Sequence, residues 1–142
     1  MGDGRVYLDT SAYLAVLLAE KASEAVLKTV RRKTLCSSTL LLIESERNLV
    51  RLSRMGVLSE TDYLVASRRL RADAELFVFR DVTPDLCLTG QYPPVKTPRS
   101  SDLVHLRTAH WFREHGGLDA FVTLDGTQAA AALDLALPVV TR

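Results

Sequence analysis

Cysteine is scarce in this chain, with only Cys36 and Cys87 among 142 residues. Two isolated thiols make neither a disulfide framework nor a zinc site, and Cys36 closes a short apolar run where a thiol behaves as a small apolar side chain. The compartment this usage implies is a reducing cytoplasm. Long hydrophobic runs are missing as well: no stretch approaches the ~20 apolar residues that cross a bilayer. The start carries no charged segment leading into an apolar one, and Met1-Gly2 lacks the downstream Ser or Thr of a myristoylation signal. A soluble protein with no membrane partner is expected.

An excess of one charge sign is also absent, since 18 Lys plus Arg stand against 17 Asp plus Glu. That balance excludes a strongly basic nucleic-acid coat and an acidic solvating protein. Among the cations 14 are Arg, whose planar fork suits phosphate, although a GC-rich genome produces the same bias. No G-x-x-x-x-G-K-[ST], G-x-G-x-x-G, H-E-x-x-H or G-x-S-x-G occurs, so nucleoside-triphosphate, dinucleotide, zincin and serine-hydrolase chemistries lack their residues. There is no internal repeat. Breakers concentrate in one place, GQYPPVKTPR (Gly90 to Arg99), which reads as an ordered surface loop.

What is present is an alternation of strands and helices. With 47% hydrophobic residues the chain suffices for one core, and residues 1–142 are expected to form a single domain. Val6 to Leu8 reads as a buried strand, followed by a helix from Ala12 to Ala19 capped by Thr10 or Ser11. A second helical piece covers Ser23 to Arg32, and Thr34 to Cys36 is a short strand. Ser37 or Ser38 caps a helix from Thr39 to Met55 that Gly56 stops, and Ser59 opens another to Ala72. Strand Leu76 to Phe79 and a helical piece at Pro84 to Thr89 precede the loop. Ser100 and Ser101 cap a helix from Asp102 to His115, ended by Gly116-Gly117. Strand Ala120 to Leu124, helix Thr127 to Leu135 and strand Pro138 to Thr141 complete the order. Such alternation implies an α/β fold whose parallel central sheet of four to five strands is covered by helices on both faces.

Four acids stand at informative places. Asp9 ends the first strand, where open α/β sheets place ligands, and it also suits a helix N-cap. Glu44 shares a polar stripe with Arg47, Asn48 and Arg51, which is either a solvated face with an ion pair or a carboxylate flanked by phosphate-binding cations. Glu46 points toward Leu42 and Val50 and is the weaker candidate. Asp102 shares the expected inward face of its helix with His105, Leu106 and Ala109; a carboxylate aimed inward needs a cation or metal to compensate it, unless it simply caps. Asp125 forms a D-x-x-Q capping box with Gln128 and holds the same topological place as Asp9. The two acids meet if their strands are neighbours. His105 reads as a core or supporting residue, and His110 and His115 as exposed. Four carboxylates without thiolates make an oxygen-only set suited to Mg²⁺ or Mn²⁺, ions that activate water and offset charge in phosphodiester hydrolysis.

VYLDTSAYLAVLL at the start, SSTLLLIESERNL, SSDLVHLRTA and FVTLDGTQAAAALDLALPVV, in this order and covering nearly the whole chain, resemble the PIN domains and within them the VapC-type toxins of toxin-antitoxin pairs. The resemblance implies that Asp9, Glu44, Asp102 and Asp125 are the acidic quartet of a Mg²⁺-dependent endoribonuclease, with Thr10, Ser11 and Thr123 as nearby hydroxyls. It also implies homodimerisation and a small antitoxin protein encoded alongside. Arg107 departs from the motif, which usually has a small residue there, and the Gly90 to Arg99 loop is long. Arg47, Arg51, Lys96 and Arg99 are the cations expected to meet RNA. Two rival readings keep the same acids: a non-catalytic module binding protein or RNA, and a structure-specific DNA nuclease.

Overall fold

The computed structural model describes residues 4–141, with the side chains of Thr89 and Thr141 left aside. Five strands form one parallel sheet: β1 (Arg5–Leu8), β2 (Thr34–Ser38), β3 (Phe77–Arg80), β4 (Ala120–Thr123) and β5 (Val139–Thr141). Seven helices connect and cover them: α1 (Thr10–Leu17), α2 (Ser23–Val30), α3 (Leu40–Arg54), α4 (Glu60–Ala74), α5 (Pro84–Cys87), α6 (Ser100–Glu114) and α7 (Gly126–Asp134). The spatial order is β3-β2-β1-β4-β5. From β1 the chain steps outward through β2 to β3, then returns to build β4 and β5 on the other side. Between β1 and β4 the direction of winding therefore reverses, and there the connections diverge and leave a crevice at the carboxyl ends of the strands.

The period-2 alternation of β1 divides the core in two. Val6 and Leu8 pack with Ala120 and Val122 against α1 to α4, whereas Tyr7 packs with Cys36 and Phe121 against α6 and α7. Tyr7 and Phe121 stack at 5.4 Å, cross-strand neighbours in register. Burial pushes the Cys36 thiol up to about 11, as befits an apolar role, and both cysteines are free. No helix among the described residues is long and apolar enough to cross a membrane.

Several boundaries differ from expectation for local reasons. Helix α1 stops at Leu17, because Ala19 takes a left-handed φ of 51°, and α2 stops at Val30 ahead of Arg32 at φ 60°. The cap of α1 is Asp9 rather than Thr10 or Ser11: its Oδ1 accepts from Ala12 N at 3.0 Å. Helix α6 begins at Ser100, so Ser100 and Ser101 lie inside it; Arg99 is the capping residue and makes no side-chain cap bond. Ser38 and Ser59 do accept from the first turns of α3 and α4. Strand β3 runs one residue later than expected, to Arg80, because Ser38 pairs with it there.

Candidate active site

Four elements bring their acids to the crevice between β1 and β4. Asp9 follows β1 directly, Asp125 follows β4 by two residues, Glu44 comes from the second turn of α3 and Asp102 from the first turn of α6. With Thr10, Ser11, Leu14, Asn48, Arg99 and His105 they line one cavity of about 230 Å³. The pairing of β1 with β4 makes Asp9 and Asp125 neighbours, and Thr123 joins them: its buried hydroxyl donates to Asp9 Oδ2 and accepts from Asp125 N at 3.1 Å.

Each acid is held differently. Asp9 is 5% exposed and receives Ser11 Oγ at 2.6 Å on Oδ1, beside the α1 cap bond. Burial holds its carboxyl above the ordinary value, against the pull of the Ser11 and Thr123 hydroxyls. Glu44 Oε1 accepts the Thr10 hydroxyl at 2.7 Å and lies 2.8 Å from His105 Nε2. Burial would raise Glu44, but the hydrogen bonds from His105 and the Thr10 hydroxyl outweigh it, and the carboxyl ends below its usual range. Asp125 Oδ1 caps α7 through Thr127 N and Gln128 N, and Oδ2 faces Arg99 at 3.3 Å. Asp102 is met by the same guanidinium, with Arg99 Nε at 3.0 Å from Oδ2.

The cations expected for RNA separate. Arg99 enters the cavity and bridges two acids. Arg47 and Arg51 are exposed on α3 and do not line it; Arg51 instead donates to Asn48 Oδ1 at 3.0 Å. Lys96 lines another cavity with Thr127 and Ala130. Glu46 accepts the Tyr63 hydroxyl of α4 at 3.1 Å, away from the crevice. The capping box is only half made: Asp125 caps Gln128 N, but the Gln128 amide donates to the Asp102 carbonyl at 3.1 Å, tying α7 to the start of α6. His110 is half-buried rather than exposed, set edge-on against Tyr92 at 5.7 Å. The tie made by Gln128 goes beyond what the sequence suggested, the available signal being a glutamine on the inner face of an Ala-rich helix.

Arg107 has a place in the structure that explains its departure from a small residue. Its Nη1 donates to the carbonyls of Leu86 at 3.2 Å and Cys87 at 2.9 Å, and its guanidinium lies over Tyr92. It thereby moors α5 and the head of the Gly90 to Arg99 loop to α6.

Among the described residues no three His, Cys, Asp or Glu side chains are drawn together tightly enough to hold an ion. Asp9 is turned into its hydroxyl bonds and Arg99 stands between Asp102 and Asp125. The donor chemistry nevertheless fits a hard divalent cation: four carboxylates share one cavity, both thiols lie elsewhere, and the one guanidinium balancing them belongs to a side chain 64% exposed to solvent.

Comparison with known proteins agrees with the fold. The PIN domain family model matches residues 6–134. The crystal structure of PAE2754 from Pyrobaculum aerophilum aligns at a TM-score of 0.53 and 18% identity, covering 90% of this chain and 79% of that one. At that identity the likeness speaks for the fold. No curated protein matches.

Proposed function

The chain belongs to the PIN-domain family, a family of nucleases, and on that premise we propose that it is a Mg²⁺-dependent endoribonuclease acting as the toxin of a VapBC-type toxin-antitoxin pair. The observation that carries this reading is the convergence of Asp9, Glu44, Asp102 and Asp125, from four elements, on one cavity at the point where the sheet reverses its winding.

In this reading the four carboxylates hold Mg²⁺ or Mn²⁺, directly or through water. Bound there, the ion supplies the Lewis-acid chemistry that activates water and offsets charge on a phosphodiester. The protein's own part is orientation. Thr123 and Ser11 fix Asp9 from both sides, and the α7 cap bonds take Asp125 Oδ1, so that Oδ2 is the oxygen turned to the cavity. Arg99, released from Asp102 and Asp125, is placed to meet a phosphate, with Arg47 and Arg51 along α3 and Lys96 before α6 extending the basic track. Homodimerisation and capture by a small antitoxin complete the proposal; the exposed apolar side chains Ile43, Val50, Met55 and Val57 on and just after α3 support a protein partner there. The setting is cytoplasmic.

Asp9→Asn and Asp102→Asn test the chemistry. Each is expected to abolish Mg²⁺-dependent RNA cleavage and growth arrest while circular dichroism shows an unchanged fold. Undiminished cleavage by both variants sinks the mechanism. Preference for flap DNA over RNA would make the protein a structure-specific DNA nuclease, and harmless expression without metal-dependent cleavage would make it an interaction module.

A further inference from the structure

Behind Glu44 a chain of hydrogen bonds runs into the core. Tyr7, wholly buried in β1, sets its hydroxyl 2.6 Å from His105 Nδ1. His105, 3% exposed on α6, sets Nε2 2.8 Å from Glu44 Oε1 and 3.1 Å from Thr10 Oγ1. Tyr7 comes from the face of the sheet covered by α6 and α7, whereas Glu44 and Thr10 belong to helices on the other face. The imidazole therefore crosses the end of the sheet and couples the two layers at the crevice.

Counting protons assigns the direction of the chain. The two hydroxyls beside the phenol, Ser37 and Thr108, spend their protons on backbone carbonyls: Ser37 on Leu8 O at 2.7 Å and Thr108 on Val104 O at 2.6 Å. Those two oxygens give the phenol no proton and could themselves accept its own, so the direction of the Tyr7–His105 bond is decided from the other end of the ring. On the far side Thr10 gives its single proton to Glu44. Nε2, facing two oxygens neither of which has a proton for it, carries the hydrogen and donates to Glu44. With that hydrogen on Nε2, the neutral ring accepts the phenol's proton at Nδ1, and this one tautomer satisfies every group.

We propose that His105 is a positioning residue for the acidic site: Tyr7 fixes its tautomer, and its Nε2–H, with the Thr10 hydroxyl, holds Glu44 Oε1 so that Oε2 is the oxygen left for a divalent cation. This rests on the reading of the four acids as a metal site. Partners that orient ligating groups carry substantial affinity, commonly about 10- to 100-fold per residue removed. Tyr7 acts two steps from the ion, so its loss is expected to cost less than that of His105.

Mn²⁺ binding followed by electron paramagnetic resonance, together with ring ¹⁵N spectra of the metal-free protein, tests the proposal. Wild type is expected to show His105 protonated at Nε2 and not at Nδ1. His105→Leu is expected to weaken Mn²⁺ binding by about 10- to 100-fold, and His105→Gln, whose amide can still donate to Glu44, to recover part of the loss. Tyr7→Phe, a near-isosteric change, is expected to leave a mixed tautomer and a loss of a few-fold. Circular dichroism melts keep folding failure apart from these effects. Unchanged Mn²⁺ affinity in His105→Leu and Tyr7→Phe, or a proton on Nδ1 in wild type, overturns the proposal and leaves the nuclease reading standing. Absence of Mn²⁺ binding in wild type overturns both.

Discussion

Arg99 grips Asp102 side-on, Nε to Oδ2 at 3.0 Å and Nη2 to Oδ1 at 3.5 Å, and the same guanidinium reaches Asp125 Oδ2 at 3.3 Å. A positive charge thus already stands between two of the four acids. Because its side chain is 64% exposed, each of these pairs is worth only about 0–1 kcal/mol. Arg99→Ala is therefore expected to bind Mn²⁺ more tightly than wild type, by up to about fivefold for each pair removed, the fold-change equivalent to that energy. It is also expected to gain more in Tm on adding Mg²⁺ to chelator-treated protein. Weaker Mn²⁺ binding in a paramagnetic resonance titration would show that Arg99 supports the ion rather than competing with it.

Thr123 links Asp9 to Asp125 through one buried hydroxyl. Thr123→Val keeps the shape and removes both bonds, leaving the Asp125 amide and one Asp9 oxygen without them. The expected cost is about 1–3 kcal/mol in urea unfolding, with Thr123→Ser restoring most of it. A Val variant as stable as wild type would mean that water replaces the hydroxyl without penalty.

Asp9 carries a burial cost that pH should reveal. Its carboxyl sits above the ordinary 3.8 in the folded protein, so the folded state binds its proton more tightly than the unfolded chain does. Ionisation therefore opposes folding at neutral pH, and that opposition fades as pH falls through the raised value toward the ordinary one. Asp9→Asn, still a competent helix cap, is expected to melt above wild type at pH 7 in chelator, with the gap closing by about pH 4. The depressed Glu44 works in the opposite sense, losing its stabilising contribution as pH falls, and is common to both proteins. A variant less stable than wild type at pH 7 would show that the Ser11 and Thr123 bonds outweigh burial.

Arg107→Ala is expected to free the Leu86 and Cys87 carbonyls and the Tyr92 ring. The loss in stability should be near 1 kcal/mol, since the contacts are partly exposed. The larger effect is expected in limited proteolysis, with cleavage between Gly90 and Arg99 rising several-fold. Unchanged proteolysis would mean that Val95, packed against the α6 and α7 core, suffices to hold the loop.

The element order was legible in the chain because its causes are local. Period-2 apolar runs, Ser59 ahead of α4 and Gly56 at φ 76° after α3 act over a few residues. Capping was less legible where several polar residues competed. Asp9, Thr10 and Ser11 can each cap, and what selected Asp9 was Thr123 holding its other oxygen from a strand over a hundred positions away. Gln128 suited a capping box, yet once α7 lay beside the start of α6 its amide found the Asp102 carbonyl instead. Arg99, expected to meet RNA, found two carboxylates within reach.

By itself, then, the sequence determined which segments are strands and helices and which acids stand at their ends, since period, caps and breakers are written within a few residues of where they act. Their company belonged to the tertiary structure. Asp9 meets Asp125 only because β4 returns to pair with β1, and Glu44 meets Tyr7 through His105 only because α3 and α6 cover opposite faces of the sheet and converge at its carboxyl edge. Such meetings depend on strand order and helix placement, contacts between residues far apart in the chain that no local pattern encodes.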